Sequence, residues 1–505
     1  MKKKQKIILA VVILLMVITG GIIYLNNYLK NEIVDVLQKE YPASGLSYDD
    51  ISINILAGNA TIKNLRIKEG ILSLETPEVT LKDFSYADYL EKKNITIGSI
   101  HLFDPEIIIN KSDSTSTDNN PEEEPYPQEI RVKNFLVSGG NIRLIENDSA
   151  ANTLFASLEN IHIGNIALGK KPQQELLPFS YETISLKSDS LYYEMNSTHY
   201  LQAKLLNLEN EDVTLDDFSI IPKFSKEVFD QSIPYEQDWI ALKIDAIKLK
   251  GYRMQKVGEL SQFIIPFTVI ENAHLEMYRN KMVNDDVRIK PMYSEMLRDL
   301  DFKISLDSIK VSGSYIEYQE KVLDSRSAGK LSFHNVYATI NNITNLNLEA
   351  KDFPTTRIKA RALFMGETEI TLNWNFDISN KMDEFRISGQ MASISADQIN
   401  PFLIPAMNVA AEGKIESLNY DFYGNRNQAS GSMQLSYRDF KVNILKDGKQ
   451  EKKSFLSGLA NLILKNDRIN EDLQQENIST TRDKTKSFWN FFWLCIRDGA
   501  LSTFF

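Results

Sequence analysis

A chain of 505 residues has room for several ordinary domains, and 25% charged residues with a single long apolar stretch exclude a bundle of membrane helices. The formal charge is −11, and four lysines among the first six residues leave −15 on the remainder, which repels nucleic acid and anionic membrane surfaces alike. Cys495 is the only cysteine, so no intramolecular disulfide is possible; in its aromatic surroundings it reads as a small apolar residue.

Residues 1–6 are basic and 7–25 (IILAVVILLMVITGGIIYL) carry no charge. At 1.5 Å per residue that run crosses the ~30 Å hydrocarbon core. It continues through Ile22, Ile23, Tyr24 and Leu25 with no small-residue cleavage site and no lipid-bearing cysteine, which predicts a retained transmembrane signal-anchor. The lysines before it put 1–6 in the cytoplasm and the bulk of the chain outside, which in a cell with two membranes is the periplasm. Leu29, Ile33 and Leu37 continue an apolar stripe every fourth residue, predicting a helical stalk over 26–44 that Pro42 and Gly45 end.

From 45 to 450 the texture is short alternating runs such as ISINILAGNATIKNLRI (51–67) and ETEITLNWNFDIS (367–379), separated by Asn, Asp, Gly and Ser. That is strand chemistry, with helical periodicity only near the two ends. One pattern recurs: an apolar pair, a turn-like pair, then apolar residues seven and nine positions after the first. Its leading pairs are Leu65 and Ile67, Ile100 and Leu102, Phe135 and Val137, Ile184 and Leu186, Ile309 and Val311, and, in a less complete copy that ends at Met254, Ile247 and Leu249. The first three copies are 35 residues apart, and Glu69-Gly70, Asp104-Pro105, Gly139-Gly140 and Gly313-Ser314 are among the turn-like pairs. A step of five flips the alternation, so the chain must kink or bulge there to keep both apolar pairs on one face. A fixed period predicts an array whose units stack on their neighbours, with the six leading pairs lining one apolar groove.

The stretch 111–127 is acidic and low in complexity and reads as a disordered loop, its Glu122, Glu123 and Glu124 as a solvated charge run. The segments 170–178 and 222–234 read as longer loops. Beyond 451, SFLSGLANLILK (454–465) has the spacing of a short helix, and KSFWNFFWLCIRDGALSTFF (486–505) is densely aromatic. Phe488, Trp489, Phe492 and Trp493 suit either a membrane interface or a helix capping the end of the β-body.

Nothing here reads as an enzyme, a cofactor site or a metal site. His101, His162, His199, His274 and His334 are scattered, and His101 and His274 fall on solvent-facing strand positions. No nucleophile elbow, phosphate-cradling glycine loop or Cys-x-x-Cys is present, and Asp49-Asp50, Asp216-Asp217 and Asp285-Asp286 read as turns.

The anchor followed by GLSYDDISINILAGNATIKNLRI (45–67), GSIHLFDPEIII (98–109), and the Asn-Pro and later Gly413, Gly424 and Gly431 of 396–445 resemble the AsmA-like envelope proteins of Gram-negative bacteria. Leu494–Ile496 departs from the basic C-terminus such proteins often carry, which weakens electrostatic membrane binding there. The resemblance implies a mostly β fold: an elongated, curled antiparallel sheet forming a groove, with an N-terminal transmembrane helix and short C-terminal helices. It further implies handling or transfer of phospholipid or another lipid between inner and outer membranes. The alternative is an assembly scaffold that meets outer-membrane proteins by strand addition at the sheet edge.

Overall fold

The computed structural model describes residues 45–92, 94–111, 130–146, 153–168, 179–258, 260–445 and 476–504, with scattered positions between 16 and 31. The expected anchor at 7–25, stalk at 26–44 and helix at 454–465 lie wholly or largely outside these residues, as do the loops at 111–127 and 170–178. No helix among the described residues is long and apolar enough to cross a membrane. The described residues are mostly β, 61% of them strand and 14% helix. Where the sequence suggests one body over 45–450, the chain forms two compact units, Met1–Met195 with Leu201–Val213 and Asn196–Tyr200 with Thr214–Phe505.

The first unit begins with β1 (Asp50–Asn54), β2 (Asn59–Glu69), β3 (Leu72–Phe84) and the short helix α1 (Tyr86–Lys92). There follow β4 (Ile95–Phe103), β5 (Glu106–Lys111), β6 (Ile130–Ser138), β7 (Asn141–Glu146), β8 (Leu154–Leu168) and β9 (Thr183–Glu194). β10 (His199–Ala203) and β12 (Asp212–Pro222) take residues from both units, and β11 (Leu205–Glu209) belongs to the first.

The sheet is mixed, which corrects the antiparallel expectation. β3 pairs antiparallel with β4 and then β5, but β4 runs parallel to β6 and β5 parallel to β7. The reason lies at the step of five. β4 and β5 are one line broken at Asp104 (φ 43°), and β6 and β7 one line broken at Gly139 and Gly140 (φ 71° and 99°). Across the breaks the Asp104 N–H donates to the Ser138 carbonyl and the Asn141 N–H to the Pro105 carbonyl, each at 2.8 Å, so the ladder is not lost. A Cβ on Gly140 would come within 2.3 Å of the Pro105 carbonyl oxygen, so that break requires glycine. Two copies 35 residues apart can then lie side by side in the same direction, which parallel strands do only with a crossover between them; residues 112–129 separate β5 from β6. The first copy behaves differently: Glu69 and Gly70 turn the chain back, so β2 and β3 form a hairpin with Ile67 opposite Leu74.

The second unit contains α2 (Lys226–Ser232), β13 (Trp239–Lys250), β14 (Arg253–Val257), β15 (Leu260–Glu271), β16 (His274–Asn280) and α3 (Tyr293–Arg298). Next come β17 (Lys303–Lys321), β18 (Gly329–Thr344), β19 (Thr356–Phe364), β20 (Thr368–Phe376), β21 (Phe385–Met391) and β22 (Ile394–Ser395). α4 (Ala396–Phe402), β23 (Val409–Gly424), β24 (Gln428–Ile444), β25 (Glu476–Thr481) and α5 (Phe488–Phe504) complete it. β15 and β16 both run parallel to β17; from β17 through β21 to β23, β24 and β25 the pairing is antiparallel.

Helices are not confined to the ends. α2 replaces the loop expected over 222–234: Ser225 caps it by accepting from the Val228 N–H, and Phe229 anchors it at 1% exposure. Beyond 451 the chain contributes β25 as well as helix. Asp216 and Asp217 sit inside β12 rather than in a turn, with Asp217 at φ 50°. Of fourteen described non-glycine residues with positive φ, all but Met365 are Asn or Asp, so the strand breaks fall where a short polar side chain tolerates left-handed backbone.

Candidate functional site

In the first unit the strand register gathers the expected groove residues into rows. One row runs Leu81, Ile100, Phe135, Ile163, Ile184 across β3, β4, β6, β8 and β9. Beside it runs Val79, Leu102, Val137, Ile161, Leu186 on the same strands. Beyond the strand breaks the face continues as Ile67, Leu74, Ile107, Ile142, Ala156, Leu191, and then Leu72, Ile109, Leu144, Leu154, Tyr193. No charged residue occurs in these four rows.

Their burial is uneven. Val137 is 3% exposed and packs in a cluster with Leu65, Val79, Leu102 and Leu158. Ile67, Ile100, Phe135, Ile184 and Leu186 are half-buried, and Leu72 and Tyr193 are each 40% exposed. The face therefore has a closed middle and an open end. His101, on the opposite face, is half-buried rather than solvent-facing: its Nε2 lies 2.8 Å from Ser138 Oγ, and burial, foremost, lowers its pKa.

In the second unit Ile247 lies opposite Ile270 and Leu249 opposite Thr268, and these two pair with Val311 and Ile309 of β17. The Ile309 row continues through Ile340, Ile358, Trp374, Ile387 and Phe422, across β18, β19, β20, β21 and β23. This face is covered. Phe488 of α5 stacks flat on Trp374, with centroids 4.5 Å apart and planes 6° from parallel, and Phe491 and Cys495 of the same helix are each 1% exposed. Trp489 and Trp493 lie at the rim, 47% and 42% exposed; Trp489 meets the Trp374 ring edge-on at 5.7 Å, and its Nε1 donates to the Tyr293 hydroxyl at 3.0 Å. Phe492 packs between, 5.4 Å from the Tyr420 ring. The four aromatics thus divide into Phe488 and Phe492, which seal a core, and two tryptophans on its outer surface.

Burial pushes the Cys495 thiol up to about 12, so almost no thiolate exists at neutral pH. Iodoacetamide at pH 8 should leave the folded protein unmodified for hours and alkylate it fully in guanidinium; rapid labelling of the native chain would mean that α5 does not seal this face.

The other face of the same strands holds what the sequence reading missed, a concavity of about 860 Å³ over β17–β24. Its polar lining comes from residues alternating with the apolar row: Lys310 opposite Thr339, Thr339 opposite Lys359, Lys359 opposite Asn373. The signal available was TRIKARALF (356–364), where cations and apolar residues alternate strictly. Arg386 grips Asp421 with both nitrogens, Nε at 2.8 Å, which holds the Asp421 carboxyl below its ordinary value. Among the described residues no group of three or more His, Cys, Asp or Glu is placed to hold a metal ion. No protein-family model matches the chain, and no curated protein matches it in sequence.

Proposed function

We propose that this chain is a non-enzymatic envelope protein, AsmA-like in its groove and repeats, whose first unit holds acyl chains of phospholipid for transfer between inner and outer membranes. One observation carries the reading: four contiguous rows of uncharged, largely apolar side chains cross five or six strand segments and become more exposed toward Leu72 and Tyr193. An apolar surface of that extent needs a cover, and an acyl chain supplies one without requiring hydrogen bonds. The uncharged run at 7–25 supports inner-membrane anchoring, with the body outside.

The test is photocrosslinking in intact cells, with benzoylphenylalanine replacing Ile109 or Leu144 on the apolar face and Asn110 on the other. Phospholipid adducts, identified by mass spectrometry, are expected at Ile109 and Leu144 and not at Asn110. Equal labelling at all three, or none at any, would refute the acyl path.

A further inference from the structure

The concavity of the second unit is unlike the apolar face and asks for a different ligand. Arg357, Lys359 and Arg361 alternate along β19 and are all exposed, stepping cations along the strand at about 7 Å. Lys310 stands two strands from Lys359, about 10 Å away, and lines the cavity with Lys359 and Arg361. Among the described residues none of these three has a carboxylate partner. The acid beside them, Asp421, is already held by Arg386.

The neutral lining is as telling. Asn373, Gln390, Asn419 and Gln434 lend amides to the cavity, and Thr371 and Ser388 hydroxyls. Among the described residues these six side chains make no hydrogen bond within the protein. Each amide offers both donors and an acceptor. One aromatic ring, Tyr337, is 41% exposed at the cavity, with the Arg361 guanidinium 4.7 Å from its centroid.

We infer that this cavity binds an acidic oligosaccharide. Sugar hydroxyls donate and accept at once, as the unpaired amides do; an aromatic face accommodates the C–H side of a pyranose; and the cations, which meet rings (Lys310 over Phe267, Arg361 over Tyr337) but no carboxylate, are left for the acid groups. A lone phosphate ion is far too small for about 860 Å³. A single-stranded nucleic acid needs successive stacking platforms, whereas of the two lining tyrosines only Tyr337 presents an exposed ring, Tyr420 packing against Phe422 and Phe492.

Full-length protein is titrated calorimetrically with tetragalacturonate, maltotetraose, tetrathymidylate and inorganic phosphate. Saturable binding of tetragalacturonate is expected, with the other three at least about tenfold weaker, as loss of charged or matched hydrogen bonds implies. Lys359→Ala with Arg361→Ala, both exposed, should weaken tetragalacturonate by about tenfold or more without moving the thermal midpoint. Gln390→Ala with Asn419→Ala, which leaves the charge unchanged, should weaken it at least about threefold. The proposal fails if tetragalacturonate does not saturate, if both double variants bind as the parent does, or if phosphate or tetrathymidylate binds equally well. None of these outcomes bears on the acyl path of the first unit, which the crosslinking reads separately.

Discussion

Val137→Asp should destabilise the first unit by about 4 kcal/mol or more, a large fraction of the roughly 5–15 kcal/mol that holds a domain folded. Val137 is 3% exposed in the middle of the Val79, Leu102, Val137, Ile161, Leu186 row. The substitution removes about 1.5 kcal/mol or more of apolar burial and leaves a carboxylate with no partner, a further cost of several kcal/mol. Leu186 occupies the same row but is half-buried, so Leu186→Asp can turn its carboxylate to water and should cost roughly 1–2 kcal/mol. Hydrogen exchange on the full chain separates the two: Val137→Asp strips protection from β4, β6 and β8, and Leu186→Asp leaves it. If Val137→Asp exchanges like the parent, the closed middle of this face does not exist in solution. If Leu186→Asp keeps protection but loses lipid adducts at Leu144, the open end is the acyl path rather than a structural seam.

Much of this face was legible because strand alternation is a local property. Ile100 and Leu102, or Phe135 and Val137, announce one face of a strand wherever that strand docks. The odd step of five correctly demanded a break, and Asp104 and Gly139 supply it with positive φ. Strand direction was not legible. Whether a turn-like pair reverses the chain, as Glu69-Gly70 does, or merely bends it, as Asp104-Pro105 does, depends on whether a neighbouring strand continues the ladder across it. That neighbour can be 34 residues away, as Ser138, whose carbonyl accepts from the Asp104 N–H, is from Asp104, and no local pattern names it. Burial was equally hidden. Ile309 and Phe135 look alike in sequence, yet Ile309 shares its face with a row that α5 covers, and Phe135 belongs to a face with an open end. The polar cavity was overlooked for a simpler reason: attention to the apolar half of each alternation leaves its other half unexamined, and in β19 that half is Arg357, Lys359 and Arg361.

The largest effect in the second unit should come from a residue with no recognisable motif, Asp383. It is 0% exposed on the loop between β20 and β21, with φ 55°. Its Oδ1 accepts from Ser294 Oγ at 2.9 Å and Arg298 Nη2 at 3.0 Å, and its Oδ2 accepts from Arg426. Arg298 is itself 89% buried by side chain, at 11% exposure, and its Nη1 donates to the Ile378 and Asn380 carbonyls at 2.8 and 3.0 Å. One carboxylate thus ties α3 to the turn between β23 and β24 and is shared by two guanidiniums. Removing it leaves the largely buried Arg298 with only Asp299 at 3.8 Å and leaves Arg426, 34% exposed, to water; breaking a buried pair from one side costs about 3–5 kcal/mol. Asp383→Ala should therefore shift the urea midpoint strongly, followed by the fluorescence of Trp374 beneath α5. Alanine at a left-handed φ adds roughly 1–2 kcal/mol of backbone strain, which would inflate the loss. Asp383→Asn removes that ambiguity, since asparagine tolerates the same backbone and keeps one acceptor oxygen. If the charge matters, Asp383→Asn should still lose about 2 kcal/mol or more, and Arg426→Gln in that background should restore part of it by removing one of the two cations. Asp383→Asn within about 0.5 kcal/mol of the parent would show that the backbone conformation, not the ion network, holds this corner together.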